Sequence, residues 1–76
     1  QAGVRMTLLV PEIKGILAKV TGAIAEAGGN IISLGTFLGE DPNNRKITVK
    51  VADVDREVLI QAVETTGVKI TDVRIV

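Results

Sequence analysis

The apolar positions of this chain alternate between a period of two and a period near 3.6, and each change falls at a glycine, proline or aspartate. Arg5 to Val10 (R-M-T-L-L-V) reads as a strand, with Met6, Leu8 and Val10 on one face and Arg5, Thr7 and Leu9 on the other. Pro11 cannot donate to a ladder and stops it. From Gly15 the period lengthens. Ile16, Leu17, Val20, Ile24 and Ala27 recur at helical spacing, with Lys19, Thr21 and Glu26 elsewhere on the wheel. Gly28 or Gly29 ends this helix in a left-handed turn. Gly22 lies inside it, at a cost of about 1 kcal/mol relative to alanine, and close packing is the expected reason for its presence.

Ile31 to Leu38 is a second strand, in which Ile32, Leu34, Thr36 and Leu38 alternate with Ile31, Ser33, Gly35 and Phe37. Gly39 to Arg45 (G-E-D-P-N-N-R) is dense in turn formers and reads as a hairpin loop. Lys46 to Val51 follows as a strand, with Ile47, Val49 and Val51 inward and Lys46, Thr48 and Lys50 outward. Asp53 or Asp55 caps a second helix that carries Val58, Leu59, Ala62 and Val63 on one face and ends at Gly67. In the last strand, Val68 to Val76, the apolar pairs Val68/Ile70 and Val73/Ile75 differ in parity, which predicts a bulge or a late start.

The order β-α-β-β-α-β, with right-handed crossovers and a central hairpin, predicts an α+β fold. The economical form is a ferredoxin-like sandwich: a four-stranded antiparallel sheet of order 4-1-3-2 with both helices on one face. The second strand is then an edge and the other sheet face is bare, so a partner can cover either. Leu9 makes that bare face partly apolar. With 76 residues there is one small domain and a thin core, which assembly or attachment to a larger protein would support. The chain starts Gln1-Ala2-Gly3 without an initiator methionine, so it is expected to be a piece of a longer polypeptide.

Composition narrows the chemistry. Nine basic and nine acidic residues give zero net charge, so no long-range field favours nucleic acid or a membrane surface. Cysteine and histidine are absent, which removes zinc ribbons, thiol chemistry and histidine acid–base work. No metal site and no cofactor are expected. The lack of cysteine fits a reducing, cytoplasmic compartment. No signal-peptide pattern and no apolar run of membrane-span length is present. An RNA-recognition module needs stacking aromatics, and Phe37 is the only aromatic. Metal carriage through the first loop needs two cysteines there, and an acylphosphatase-type site needs an arginine cradle where only Lys14 stands. Glu40, Asp41, Asn43 and Asn44 match no calcium-loop pattern. No nucleophile–base pair or metal set nominates an enzyme.

What remains is the stretch Val10 to Leu34. A glycine opening a helix lets a ligand approach unpaired N–H groups, which makes the loop through Gly15 the first candidate site; its plainer reading is a tight turn. Glu12-Ile13-Lys14-Gly15-Ile16-Leu17-Ala18, the helix, and Gly29-Asn30-Ile31 resemble the ACT domain, whose pattern is Asp-x-Pro-Gly-x-Leu, a helix, then Gly-x-Asn-Ile. Ile32 to Phe37 and Asp72-Val73-Arg74 are most similar to ACT domains that follow paired CBS domains, as in acetoin-utilisation-type proteins.

The resemblance implies a regulatory module that senses a small molecule, often an amino acid, and acts on an attached domain, here a CBS pair. It implies homo-oligomers paired edge to edge through the second strand, with ligand between the first loop of one subunit and the second strand of its neighbour. It assigns Val10, Glu12 and Gly15 to one wall and Asn30 to the other, and Lys14, Ile16 and Ile31 beside them complete the candidate ligand-binding set. A carboxylate ligand suits the N–H groups near Gly15 to Leu17, Glu12 can accept from an ammonium, and Asn30 can donate and accept. Glu12 also reads as a solvated loop carboxylate and Asn30 as a turn residue. The chain departs from the pattern at Glu12 (Asp in the family) and at Lys14 (Pro), and lysine opposes the helix dipole while attracting an anion. These departures favour the competing reading, a structural pairing module that binds no ligand.

Overall fold

The computed structural model describes residues 3–11, 14–38 and 42–76. Its elements are β1 (Val4–Pro11), α1 (Ile16–Glu26), β2 (Asn30–Leu38), β3 (Asn44–Ala52), α2 (Arg56–Glu64) and β4 (Lys69–Ile75). All neighbouring strands are antiparallel and the sheet order is β2-β3-β1-β4, the expected 4-1-3-2 seen from the other edge. Both helices contribute to one core on one face of this sheet. Met6, Leu8 and Val10 of β1 meet Ile47, Val49 and Val51 of β3, and Val20 and Ile24 of α1 join Leu59 and Val63 of α2 above them. The alternation of buried and open residues along β1 and β3 follows the strand period.

The expected bulge lies on the β1–β4 ladder. Thr7 pairs with Asp72 and Leu8 with Ile70, so Thr71 is skipped and its hydroxyl donates instead to the Thr7 carbonyl at 3.2 Å. The skip restores parity and turns both Ile70 and Val73 toward the core. A second irregularity between Ile31 and Ser33 sets Ile31 opposite Val51, on the helix side, with Leu34 and Thr36. Of the two candidate caps of α2, Asp55 serves: its Oδ2 accepts from the Glu57 and Val58 N–H groups at 3.2 and 3.4 Å. The α1 C-terminus turns through Gly28 at φ +89°. Gly29 then presses on the core, where a Cβ would sit 2.7 Å from Val51 Cγ1 and 2.9 Å from Ile24 Cγ2.

Several expectations are corrected. β3 starts at Asn44, so Arg45 belongs to a strand and not to the loop; Gly39, Glu40 and Asp41 of that loop lie outside the described residues. In α2, Val58 is exposed and Ile60 packs partly against the core. Gly22 is not there for close packing: it is exposed and a Cβ would meet nothing within 4 Å. Gly22→Ala is therefore expected to stabilise the isolated chain by about 1 kcal/mol, raising the midpoint of thermal unfolding by about 4–8 °C. An unchanged or lower midpoint in calorimetry would show a helical cost absent or a hidden neighbour present.

Candidate functional site at the start of α1 and the β2 edge

The loop entering α1 puts Gly15 in the left-handed region, φ +85°, as the N-cap. No side chain caps this helix and its first turn holds no acidic residue, whereas α2 has both Asp55 and Glu57. The first-turn N–H groups of α1 have no intrahelical acceptors, and among the described residues no side chain caps them and no acid stands in that turn to offset its positive end. A cleft of about 150 Å³ lies against this end, lined by Val10, Pro11, Gly15, Ile16, Leu17, Thr36, Arg45 and Ile47. Three predicted site residues, Val10, Gly15 and Ile16, thus come together. Lys14 lines an adjoining cleft of about 320 Å³ that shares Pro11, Gly15 and Ile16 with the first and adds Lys19, Thr66 and Gly67, on the α2 side of the same turn. Glu12 lies outside the described residues.

Asn30 and Ile31 are not near this cleft. Asn30 pairs with Ala52, while Val10 pairs with Arg45, seven residues back along β3. At a rise of about 3.3 Å per residue the separation is about 23 Å. The two halves of the predicted site therefore stand at opposite ends of one sheet. Arg45 was not singled out by the sequence reading, which counted it with the turn. It is half-buried, its Nε out of solvent contact, on the helix-facing side with Ile47 and Val49. Extending the parity of Ile47, Val49 and Val51 back by one step would have found it. It brings a cation to the cleft that holds the N-terminus of α1.

The two sheet edges differ in kind. β4 carries Lys69, Asp72 and Arg74 and a bulge, the usual guards against pairing. β2 reads N-I-I-S-L-G-T-F-L, nine residues with no charge and no proline. Ile32, Leu34, Phe37 and Leu38 on it are exposed, Leu38 to 89%. A long, uncharged, apolar edge is a template for another strand. Among the described residues no group of His, Cys, Asp and Glu stands close enough to hold a metal. Among the described residues no helix is long and apolar enough to cross a membrane.

Comparison with known proteins agrees with this architecture. The family of TTHA0829-like ACT domains matches residues 2–74. No curated protein sequence matches the chain. An unknown protein from Galdieria sulphuraria superposes with a TM-score of 0.80 at 16% identity, over 100% of this chain and 46% of that one. The ligand-free regulatory subunit of aspartate kinase from Thermus thermophilus gives 0.77 at 22% identity, over 93% of this chain and 49% of that one. An ACT domain protein from Streptococcus pneumoniae gives 0.71 at 22% identity, over 97% of this chain and 89% of that one. The chain spans about half the length of the first two. At these identities the likeness is one of fold.

Proposed function

The chain belongs to the TTHA0829-like ACT domain family, and from that premise we propose that it is a regulatory module that senses a small molecule, an amino acid in the first instance, within a pair formed through β2. The observation that carries this reading is the division of the candidate site between two ends of the sheet. One end offers the unpaired N–H groups of α1, the Arg45 guanidinium and an apolar floor of Val10 and Ile47, in a cleft whose lining reaches Thr36 of β2. At about 150 Å³ the cleft is smaller than the roughly 300 Å³ at which ligand pockets begin. The other end offers Asn30 and Ile31 at the start of β2.

Two copies joined antiparallel along β2 bring the start of one strand to the end of the other. Asn30 of a second copy then faces the cleft beside Gly15, and the open side of the cleft is closed. In such a site the carboxylate of an amino acid meets the N–H groups of α1 and Arg45. Glu12 and Asn30 are left for its ammonium, and Lys14, at the neighbouring cleft, adds to the field that draws the anion in. Binding at a seam couples ligand to pairing, which is how a module without catalytic groups acts on an attached domain. The likeness of Ile32 to Phe37 and Asp72 to Arg74 to CBS-associated ACT domains makes a CBS pair the first attached domain to look for.

A thermal-shift screen of the amino acids tests the proposal. A ligand at a hundred times its Kd is expected to add about 2.7 kcal/mol, a rise of about 10 °C or more for a domain of this size. Asn30→Ala, at an exposed strand end, should abolish the shift and leave the unliganded midpoint within a few degrees. If no amino acid shifts the wild type while the dimer persists, the chain is a pairing module that binds none of them.

A further inference from the structure

Zero net charge conceals a segregation of charge. On the sheet face away from the helices, the cross-strand partners form three rows, each crossing all four strands. The first holds Phe37, Lys46, Leu9 and Lys69. The second holds Gly35, Thr48, Thr7 and Asp72. The third holds Ser33, Lys50, Arg5 and Arg74. Five of the chain's nine basic residues, Arg5, Lys46, Lys50, Lys69 and Arg74, therefore share one face. The one carboxylate in these rows, Asp72, is taken up by Arg74, whose Nε lies 2.9 Å from Oδ2. Among the described residues the other carboxylates, Glu26, Asp53, Asp55, Glu57 and Glu64, lie on the helices and the turns that flank them.

This arrangement costs stability. Arg5 stands directly between Lys50 and Arg74, at a strand spacing of about 4.8 Å, and like charges directly opposite repel. An external counter-charge relieves that repulsion. The two cationic rows run about 13 Å apart, the length of four strand residues. Between them the middle row holds Gly35, Thr48, Thr7 and Asp72, all shorter than the lysines and arginines on either side. In the first row the Phe37 ring folds back over Gly35, where a Cβ would lie 3.4 Å from the ring edge, and it stays 56% exposed. Leu9 lies in the same row.

We propose that this face docks an acidic protein segment in which Asp or Glu alternates with apolar side chains. The acids answer the two basic rows, and the apolar residues answer Phe37 and Leu9. A second copy does not fit, because face-to-face stacking would set five cations against five. Nucleic acid fits less well: Phe37 stands alone on an edge strand, with no second ring to continue a stack of bases. The surface is separate from the α1 cleft, which lies on the helix side of the sheet, so the docking proposal does not depend on ligand sensing. Pairing through β2 would set two such faces side by side.

The test uses the whole chain, a fluorescein-labelled Glu/Leu/Ala peptide, a Lys/Leu/Ala peptide and a short oligothymidine, followed by anisotropy. The expected result is micromolar binding of the acidic peptide alone, weakening as salt rises. Arg5→Gln with Lys50→Gln should weaken it about tenfold or more, and Phe37→Ser about threefold or more, while Lys19→Gln on the helical layer has no effect. A second readout needs no partner. The double variant should melt several degrees higher than wild type at low salt, and the gap should close at high salt. Tighter binding of the oligothymidine, no preference for the acidic peptide, or a double variant that melts no higher at low salt would each overturn the proposal.

Discussion

Leu34→Lys combined with Leu38→Lys is expected to leave the domain folded and to make it a monomer. β2 is the unguarded edge of the sheet: nine residues, no charge, no proline, and four large apolar side chains exposed. A two-fold axis through the middle of Asn30–Leu38 falls at Leu34, so a lysine there meets its own copy across the axis. The lysine at 38 adds a cation near the start of the neighbouring strand. Like charges held together at an interface cost several kcal/mol, so the dissociation constant should rise by about a hundredfold or more. Fold stability should change little, because Leu38 is 89% exposed and Leu34 37% exposed in the single chain. Sedimentation equilibrium at micromolar concentration checks both halves. A wild type that is monomeric, or a double variant that stays dimeric, removes β2 as the pairing edge. Because the candidate site is divided between the ends of β2, the double variant should also lose any amino-acid response seen in the wild type.

The residues that made the fold legible are those with a single consistent parity. Met6, Leu8 and Val10, and Ile47, Val49 and Val51, alternate so regularly that strand, inner face and register follow directly, and all six are buried. The parity break in the last strand was itself readable, because a bulge leaves a trace in the order of apolar residues. β2 was less so. Its two parities are almost equally apolar, and the irregularity after Ile31 decides which residues face the helices. Arg45 was lost to the turn because Pro42, Asn43 and Asn44 before it are strong loop formers, while the ladder with β1 extends the strand to Asn44. The basic sheet face was hidden for a different reason. Net charge is a sum over the chain, and only the cross-strand registry brings Arg5, Lys50 and Arg74 into one row. The candidate site shows the same limit. Gly15 and Asn30 are legible as special positions, yet that Val10 and Asn30 stand seven β3 residues apart, at opposite ends of the sheet, follows only from the ladder.

Ile24→Ala and Leu17→Ala should separate two residues that the helical period treats alike. Both fall on the apolar stripe of α1. Ile24 is fully buried and packs in the core that includes Val51 and Leu59, with its Cγ2 close against Gly29. Removing three of its carbons takes away burial and opens a cavity. Gly29, with no side chain, cannot fill it, and Val51 is held by the ladder to β1 and β2. A loss of about 3–4 kcal/mol is expected. A chain of 76 residues has about 4–11 kcal/mol of stability in all, so this loss removes about a quarter of it or more. Leu17 is 39% exposed and lines the cleft at the start of α1. Its truncation removes less buried surface and leaves no enclosed void, so about 1 kcal/mol is expected. Its larger effect should be on ligand response, since it forms part of the cleft wall. Urea unfolding followed by circular dichroism measures both losses. Equal losses for the two variants would mean that α1 sits rotated from the position described, with the stripe inferred from periodicity closer to the truth than the packing.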